Sequence, residues 1–220
     1  MQVLVLSAGR SGTNIMLTAL SQLEEFELSD PIENKAIFYK IGAKYKDGYL
    51  TKSDIVYTRS WLFLALLMQN NPEMRIIWTI RHPYDWALAK INRGSENGAD
   101  DATFEGCISD LYRMYDLYKR LIKFYSSRVY TVKMENILLY TESVFKEICK
   151  WLDVEYKESM LNFSSKMVSG EKKERYSNID KSQINMYEDL KYVNSIANKS
   201  SINIELLFNF LQPLVFFFRY

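Results

Sequence analysis

Arg10 stands between two glycines in the stretch Ser7-Ala8-Gly9-Arg10-Ser11-Gly12-Thr13-Asn14, and Arg81 opens a second stretch, Arg81-His82-Pro83. Small residues in a short loop leave backbone N–H groups open to an anion, and a guanidinium adds a fork matched to phosphate or sulfate oxygens. Such a set can bind an anion, and can transfer a group where a donor anion and a proton acceptor meet. Two more charged positions follow strand-like runs in the same way: Asp30 before Pro31, and Arg59. Gly and Ser also mark ordinary turns, so the flanking elements decide what the loop means.

Those flanks are informative. Val3 to Leu6 is an apolar run of strand length, and Ile15, Met16, Leu17, Ala19, Leu20 and Leu23 recur at helical spacing after the loop. A buried strand, a glycine loop and a helix N-terminus make an anion site. Further strands are expected over residues 24–30, ending at Asp30-Pro31, then over 54–58, 75–80 and 129–133. A strand or a short helix start fits 36–41, and Asp47-Gly48 reads as an exposed turn. Helices are expected over 61–68, 84–92, 104–125, 141–152, 181–197 and 203–218, and 93–101 reads as a loop. Strands alternating with helices predict an α/β fold: a parallel sheet of about five strands, covered on both faces, with the first strand central. Ligands of such sheets sit beyond the carboxyl ends of the strands, where this reading places Arg10, Asp30, Arg59 and Arg81.

Bulk properties narrow the classes. The 220 residues carry 28 basic and 27 acidic side chains, so no global basic bias points to nucleic acid. Cys107 and Cys149 are isolated and His82 is the sole histidine, which predicts no metal site and a reducing compartment. A first strand starting almost at Met1, with no basic leader, predicts no signal peptide and a cytoplasmic setting. The apolar run 206–218 is broken by Asn209, Gln212 and Pro213 and is shorter than the roughly 20 residues a bilayer span needs. It reads as a core-packing helix, with peripheral membrane contact or partner docking as the alternative. One domain over 1–220 is expected, with its core in 1–153.

A nucleotide-splitting loop wants Gly-Lys followed by Ser or Thr, and this one has Gly12-Thr13 without the lysine. The dinucleotide fingerprint wants a third glycine. Gly9-Arg10-Ser11-Gly12-Thr13-Asn14 instead resembles the phosphosulfate-binding loop of sulfotransferases that use 3'-phosphoadenosine 5'-phosphosulfate (PAPS). A strand ending in Arg-x-Pro, whose arginine binds the donor's 3'-phosphate in that family, resembles Arg81-His82-Pro83. Met134-Glu135-Asn136 and Trp151-Leu152-Asp153 stand where the family has Tyr-Glu-Asp-Leu and Phe-Leu-Gly. The resemblance implies a P-loop-like three-layer sandwich, a helical C-terminal part and a nucleotide-covering loop within 154–220. It also implies PAPS held by Gly9, Arg10, Ser11, Gly12, Thr13, Asn14 and Arg81, with Arg175 in the covering loop, and no metal.

Departures locate the open questions. The family's second 3'-phosphate ligand, a serine, is Ala89 here, and its adenine-side tyrosine is Met134. The histidine base of the cytosolic branch corresponds to Arg59, a very poor base because its pKa exceeds 12. Arg59 would instead steady charge on the sulfuryl group. Carbohydrate-type and bacterial branches use a carboxylate shortly after the first helix, which Asp30-Pro31 resembles, with Glu33 as a near alternative. Asp30 as a turn cap and His82 as a proton acceptor or a pocket wall stay open. Trp61, Phe63 and Tyr84 fit an acceptor pocket or the core. The reaction implied is in-line sulfuryl transfer to the hydroxyl of a small-molecule, lipid or carbohydrate acceptor. An atypical nucleotide kinase and a catalytically inactive binding protein are the rivals.

Overall fold

The computed structural model describes residues 1–34, 37–38, 42–54, 60–97, 103–162 and 181–220. Among these, the strands β1 (Gln2–Ser7), β2 (Glu27–Glu33), β3 (Tyr49–Asp54), β4 (Met74–Ile80) and β5 (Val129–Lys133) form one sheet in the order β2-β3-β1-β4-β5. All four pairings are parallel. The helices are α1 (Thr13–Leu20), α2 (Trp61–Asn70), α3 (Pro83–Asn97), α4 (Phe104–Tyr125), α5 (Met134–Leu139), α6 (Thr141–Leu152), α7 (Leu190–Ser200) and α8 (Ile204–Phe217).

Every residue of β1 is buried, because alternate side chains feed two cores. Val3 and Val5 meet Met16, Leu20, Phe145 and Ile148 of α1 and α6 on one face. Leu4 and Leu6 belong to the other core, with Trp78, Leu88, Leu111 and Leu211, contributed by β4, α3, α4 and α8. The sheet is therefore the middle of three layers, with the first strand central as expected. Fully burying an aliphatic side chain is worth about 1.5–3 kcal/mol, so β1 alone pins the start of the loop firmly.

Several expectations are corrected. β2 does not end at Asp30-Pro31 but runs to Glu33; it is an edge strand whose register shifts between Leu28 and Glu33, the setting in which proline is tolerated. β3 occupies 49–54, a stretch read as turn and loop from the sequence, and residues 55–58 of the expected strand lie outside the described residues; Thr51 and Ser53 of β3 are buried polar residues, which break the apolar pattern that marks an inner strand. α3 continues to Asn97 through much of the expected loop. Met134–Leu139 forms a short helix, α5.

At the C-terminal end, the expected helix 181–197 is two 3-10 turns, Lys181–Gln183 and Met186–Glu188, followed by α7. Among the described residues no single helix is long and apolar enough to cross a membrane. Only α7 and α8 taken together, bent by 113° at their junction, match by length and composition.

Candidate functional site

Between β1 and α1 the loop folds back on itself. The Ser7 and Ser11 hydroxyls both donate to the Ala8 carbonyl, at 2.6 and 2.9 Å. Arg10 and Gly12 adopt left-handed backbone, φ 71° and 86°. A long side chain held at positive φ stores strain, and alternating left-handed residues turn successive N–H groups into one concavity. Gly12 is also required by space: a Cβ there would lie 3.3 Å from Met134 Cγ and 3.7 Å from Ile137 Cδ1. As the N-cap of α1, Gly12 has no side chain to cap the first turn, and that turn holds no acid, so the positive helix end faces the loop.

The loop is braced from one side. Trp86 Nε1 donates to the Gly9 carbonyl at 2.6 Å and Arg81 Nη1 to the Arg10 carbonyl at 3.3 Å. In planar trans peptides the following N–H groups, of Arg10 and Ser11, point the opposite way. The Arg10 side chain itself is exposed. Lys52 of β3 reaches the same corner, its ammonium donating to Asn14 Oδ1 at 2.6 Å.

Arg81 is only 3% exposed. Its Nη2 donates to the Gln183 carbonyl at 2.7 Å and contacts Met186 Sδ at 3.0 Å, while the buried Nε has no partner among the described residues. Burial lowers the Arg81 pKa, and the Asp85 and Glu135 carboxylates oppose that effect. Asp85 is fully buried: Oδ1 accepts the Tyr187 N–H at 3.0 Å, the Asn185 N–H also favours its charged form, and Oδ2 has no partner within hydrogen-bond distance among the described residues. Burial pushes its carboxyl up to about 6 against those contacts.

His82 is enclosed by aromatic rings. Tyr187 stacks on it at 4.4 Å, and Tyr84 and Tyr220 meet it edge-on at 5.1 and 4.8 Å. Its Nδ1 accepts the Tyr84 N–H at 3.2 Å, and burial holds its pKa down at about 4. A buried, weakly basic ring with one nitrogen already engaged suits a wall of the site better than a proton acceptor.

The structure thus brings the loop, Arg81 and His82 together. Backbone at Asp30 lies within β2 rather than at its end, and Glu33 is the strand's last residue; their side chains, with Arg59 and Arg175, lie outside the described residues. Ala89 is buried in α3. Trp61, Phe63 and Tyr84 pack against the core, and Tyr84 stacks on Phe208 at 4.1 Å. A recess of about 180 Å³ lined by Gln2, Lys44, Tyr45, Asn70, Asn71, Pro72 and Glu73 opens at the opposite ends of the strands, away from the loop.

Sequence reasoning missed Lys52, Asp85 in its buried role, Glu135, Tyr187 and Tyr220. Glu135 stood in the motif Met134-Glu135-Asn136 and Asp85 just after Arg81-His82-Pro83, but neither position told which contact it would make; Lys52 was a lysine inside a strand-like run. Pairing of Ser7 with Asp54 puts Lys52-Ser53-Asp54 of β3 beside the start of the loop, and residues 57–59 lie outside the described residues.

A family model described as the sulfotransferase family matches residues 45–158, from the turn before β3 to beyond α6. The chain belongs to the sulfotransferase family. Solved structures share the fold at low identity. The sulfotransferase domain from the curacin biosynthetic pathway is 13% identical, with a TM-score of 0.63 over 92% of this chain and 98% of that one. The sulfotransferase domain of the Synechococcus PCC 7002 olefin synthase is also 13% identical, with a TM-score of 0.62 over 92% and 94%. A mouse sulfotransferase complexed with PAP is 11% identical, with a TM-score of 0.57 over 96% and 88%. No curated protein matches the chain. Membership assigns sulfuryl transfer as the general activity.

Proposed function

We propose that the protein transfers a sulfuryl group from PAPS to an acceptor hydroxyl, with residues 1–220 acting as one domain. The observation that carries this reading is the left-handed Arg10–Gly12 loop, set between a fully buried strand and a helix N-terminus and braced by Arg81 and Trp86. In this reading the N–H groups of the loop, with Thr13 and Asn14, cradle the donor's 5'-phosphosulfate. The exposed Arg10 guanidinium and the Lys52 ammonium neutralise charge that develops on the sulfuryl and on the leaving phosphate oxygen. Electrostatics and positioning then supply most of the catalysis.

The 3'-phosphate would meet Arg81, replacing the neutral Gln183 carbonyl and Met186 sulfur on Nη2 with an anion. Met134, 5% exposed and packed under Gly12, stands on the side expected for the adenine. Arg175 belongs to this reading as part of a covering segment. Proton abstraction falls to a carboxylate, Asp30 or Glu33 on β2, with Asp54 at the end of β3 as a further candidate. The enclosure of His82 supports that choice and, with Arg59 in place of a histidine, a kinship with the carbohydrate-type and bacterial branches. The acceptor is a small molecule, lipid or carbohydrate. Exposed Phe210, Phe216 and Phe217 on α8 support a peripheral contact with a lipid surface.

Calorimetry tests the reading: adenosine 3',5'-bisphosphate (PAP) against ATP with Mg²⁺, on the wild type and on Arg10→Ala and Arg81→Ala. PAP binding is expected, weakened by each substitution by about 10–100-fold, the 1.5–3 kcal/mol of a charged hydrogen bond. Preference for MgATP would overturn the donor assignment in favour of a kinase.

A further inference from the structure

Lys133, Met134 and Glu135 lie where β5 passes into α5, and each grips a different part of the site. Met134 supports Gly12 from below. Lys133 Nζ donates to the Arg219 carbonyl at 2.9 Å and lies 4.1 Å from the centre of the Tyr220 ring. Glu135 uses both carboxylate oxygens: Oε1 accepts the backbone N–H of His82 at 2.8 Å, and Oε2 accepts the Tyr220 hydroxyl at 2.9 Å. Burial and the Glu135 charge together hold the Tyr220 hydroxyl in its protonated, donating form.

The anchored N–H belongs to the residue immediately after Arg81. Arg81 is buried and among the described residues its guanidinium bonds neutral acceptors, the Arg10 and Gln183 carbonyls and the Met186 sulfur. Nothing in those contacts fixes the direction of a flexible side chain as an ion pair would, so its aim depends on where the backbone at 81–82 is held. We propose that Glu135 is a positioning residue of the donor site, tying the end of β4 to Tyr220 and so aiming Arg81 at the loop and at the donor's 3'-phosphate. The C-terminal end of α8 is then a working part of the site. Glu135 also supplies negative potential that keeps the buried guanidinium charged. This inference rests on the PAPS reading above.

Its test compares PAP with adenosine 5'-monophosphate, because the ratio of their affinities isolates the grip on the 3'-phosphate. The wild type is expected to prefer PAP. Glu135→Ala should cut that preference about tenfold, the worth of one charge-assisted bond. Glu135→Gln should keep most of it, since the amide oxygen can accept from His82 and the amide nitrogen can donate to the Tyr220 oxygen. Tyr220→Phe, which removes only the hydroxyl and serves if the alanine variant does not fold, should cut the preference about threefold. A purely structural role would weaken both nucleotides alike or lower only the melting temperature. An unchanged PAP preference in the alanine or phenylalanine variant overturns the proposal, and so does a glutamine variant as impaired as the alanine one. A wild type that binds no PAP brings down the donor reading itself, a result distinct from the failure of the variants.

Discussion

Replacing Asp85 with asparagine should make the protein more stable at neutral pH, although it removes a carboxylate beside an arginine. Asp85 is wholly buried, keeps one oxygen without a partner within hydrogen-bond distance among the described residues, and has its carboxyl pushed from its ordinary 3.8 up to about 6 by burial, with the Tyr187 N–H, Arg81 and the Asn185 N–H opposing. Below pH 3.8 the group is protonated in both the folded and the unfolded chain and contributes no penalty. Between 3.8 and about 6 the folded state binds more protons, so stability falls as pH rises through that window and stays lower above it. The span corresponds to about 3 kcal/mol at 1.36 kcal/mol for each tenfold step. Asparagine mimics the protonated acid: its oxygen still accepts from Tyr187, and its amide, facing the place of the unpartnered oxygen, gives back about 1 kcal/mol. Asp85→Asn should therefore gain about 2 kcal/mol at pH 8, about 4–8 °C in Tm for a chain of this size, and should be no more stable than the wild type, or about 1 kcal/mol less so, at pH 3.5. Urea unfolding of both proteins from pH 3.5 to 8 measures it. A variant less stable than the wild type at pH 8, or a difference that does not change with pH, refutes the argument that the buried charge is a net cost.

Gly12→Ala should cost about 1–2 kcal/mol through the left-handed backbone alone, and more as Met134 is pushed aside, lowering Tm by several degrees. Adding Met134→Ala should not recover the backbone part; an unchanged melting curve for Gly12→Ala would show that the loop is not held as described. Cys107 and Cys149 are at most 1% exposed, and burial pushes the Cys149 thiol up to about 11. Native protein at pH 8 should leave a thiol reagent almost unreacted, with both cysteines titrating only after denaturation; rapid native reaction would place them outside the core.

Elements that follow one periodic pattern were legible in the sequence. α4 and β5 have the bounds that spacing predicted, and Val144, Phe145, Ile148 and Leu152 form the buried stripe of α6 as expected. Elements that depend on neighbours were not. β3 buries Thr51 and Ser53 with local partners, Ser29 Oγ donating to Thr51 Oγ1 at 2.8 Å and Ser53 Oγ to the Asn34 carbonyl at 3.2 Å. β2 carries proline because it lies at the edge, which no local pattern announces. The covering of Arg81 was equally invisible, since Gln183 and Met186 lie about a hundred residues away and neither carries a charge that would mark it.

By itself the sequence determined the glycine-bearing loop, the helix that follows it and the central place of the strand before it. Those depend on residues next to one another, whose backbone freedom and hydrophobicity act locally. Tertiary structure alone decided that the arginine after β4 would be buried and capped, that His82 would be walled in by tyrosines, and that Glu135 would join β4 to the end of α8. Each of these is a contact between distant segments. Its energy depends on exclusion from water, and that exclusion exists only once the sheet and its two covering layers have closed.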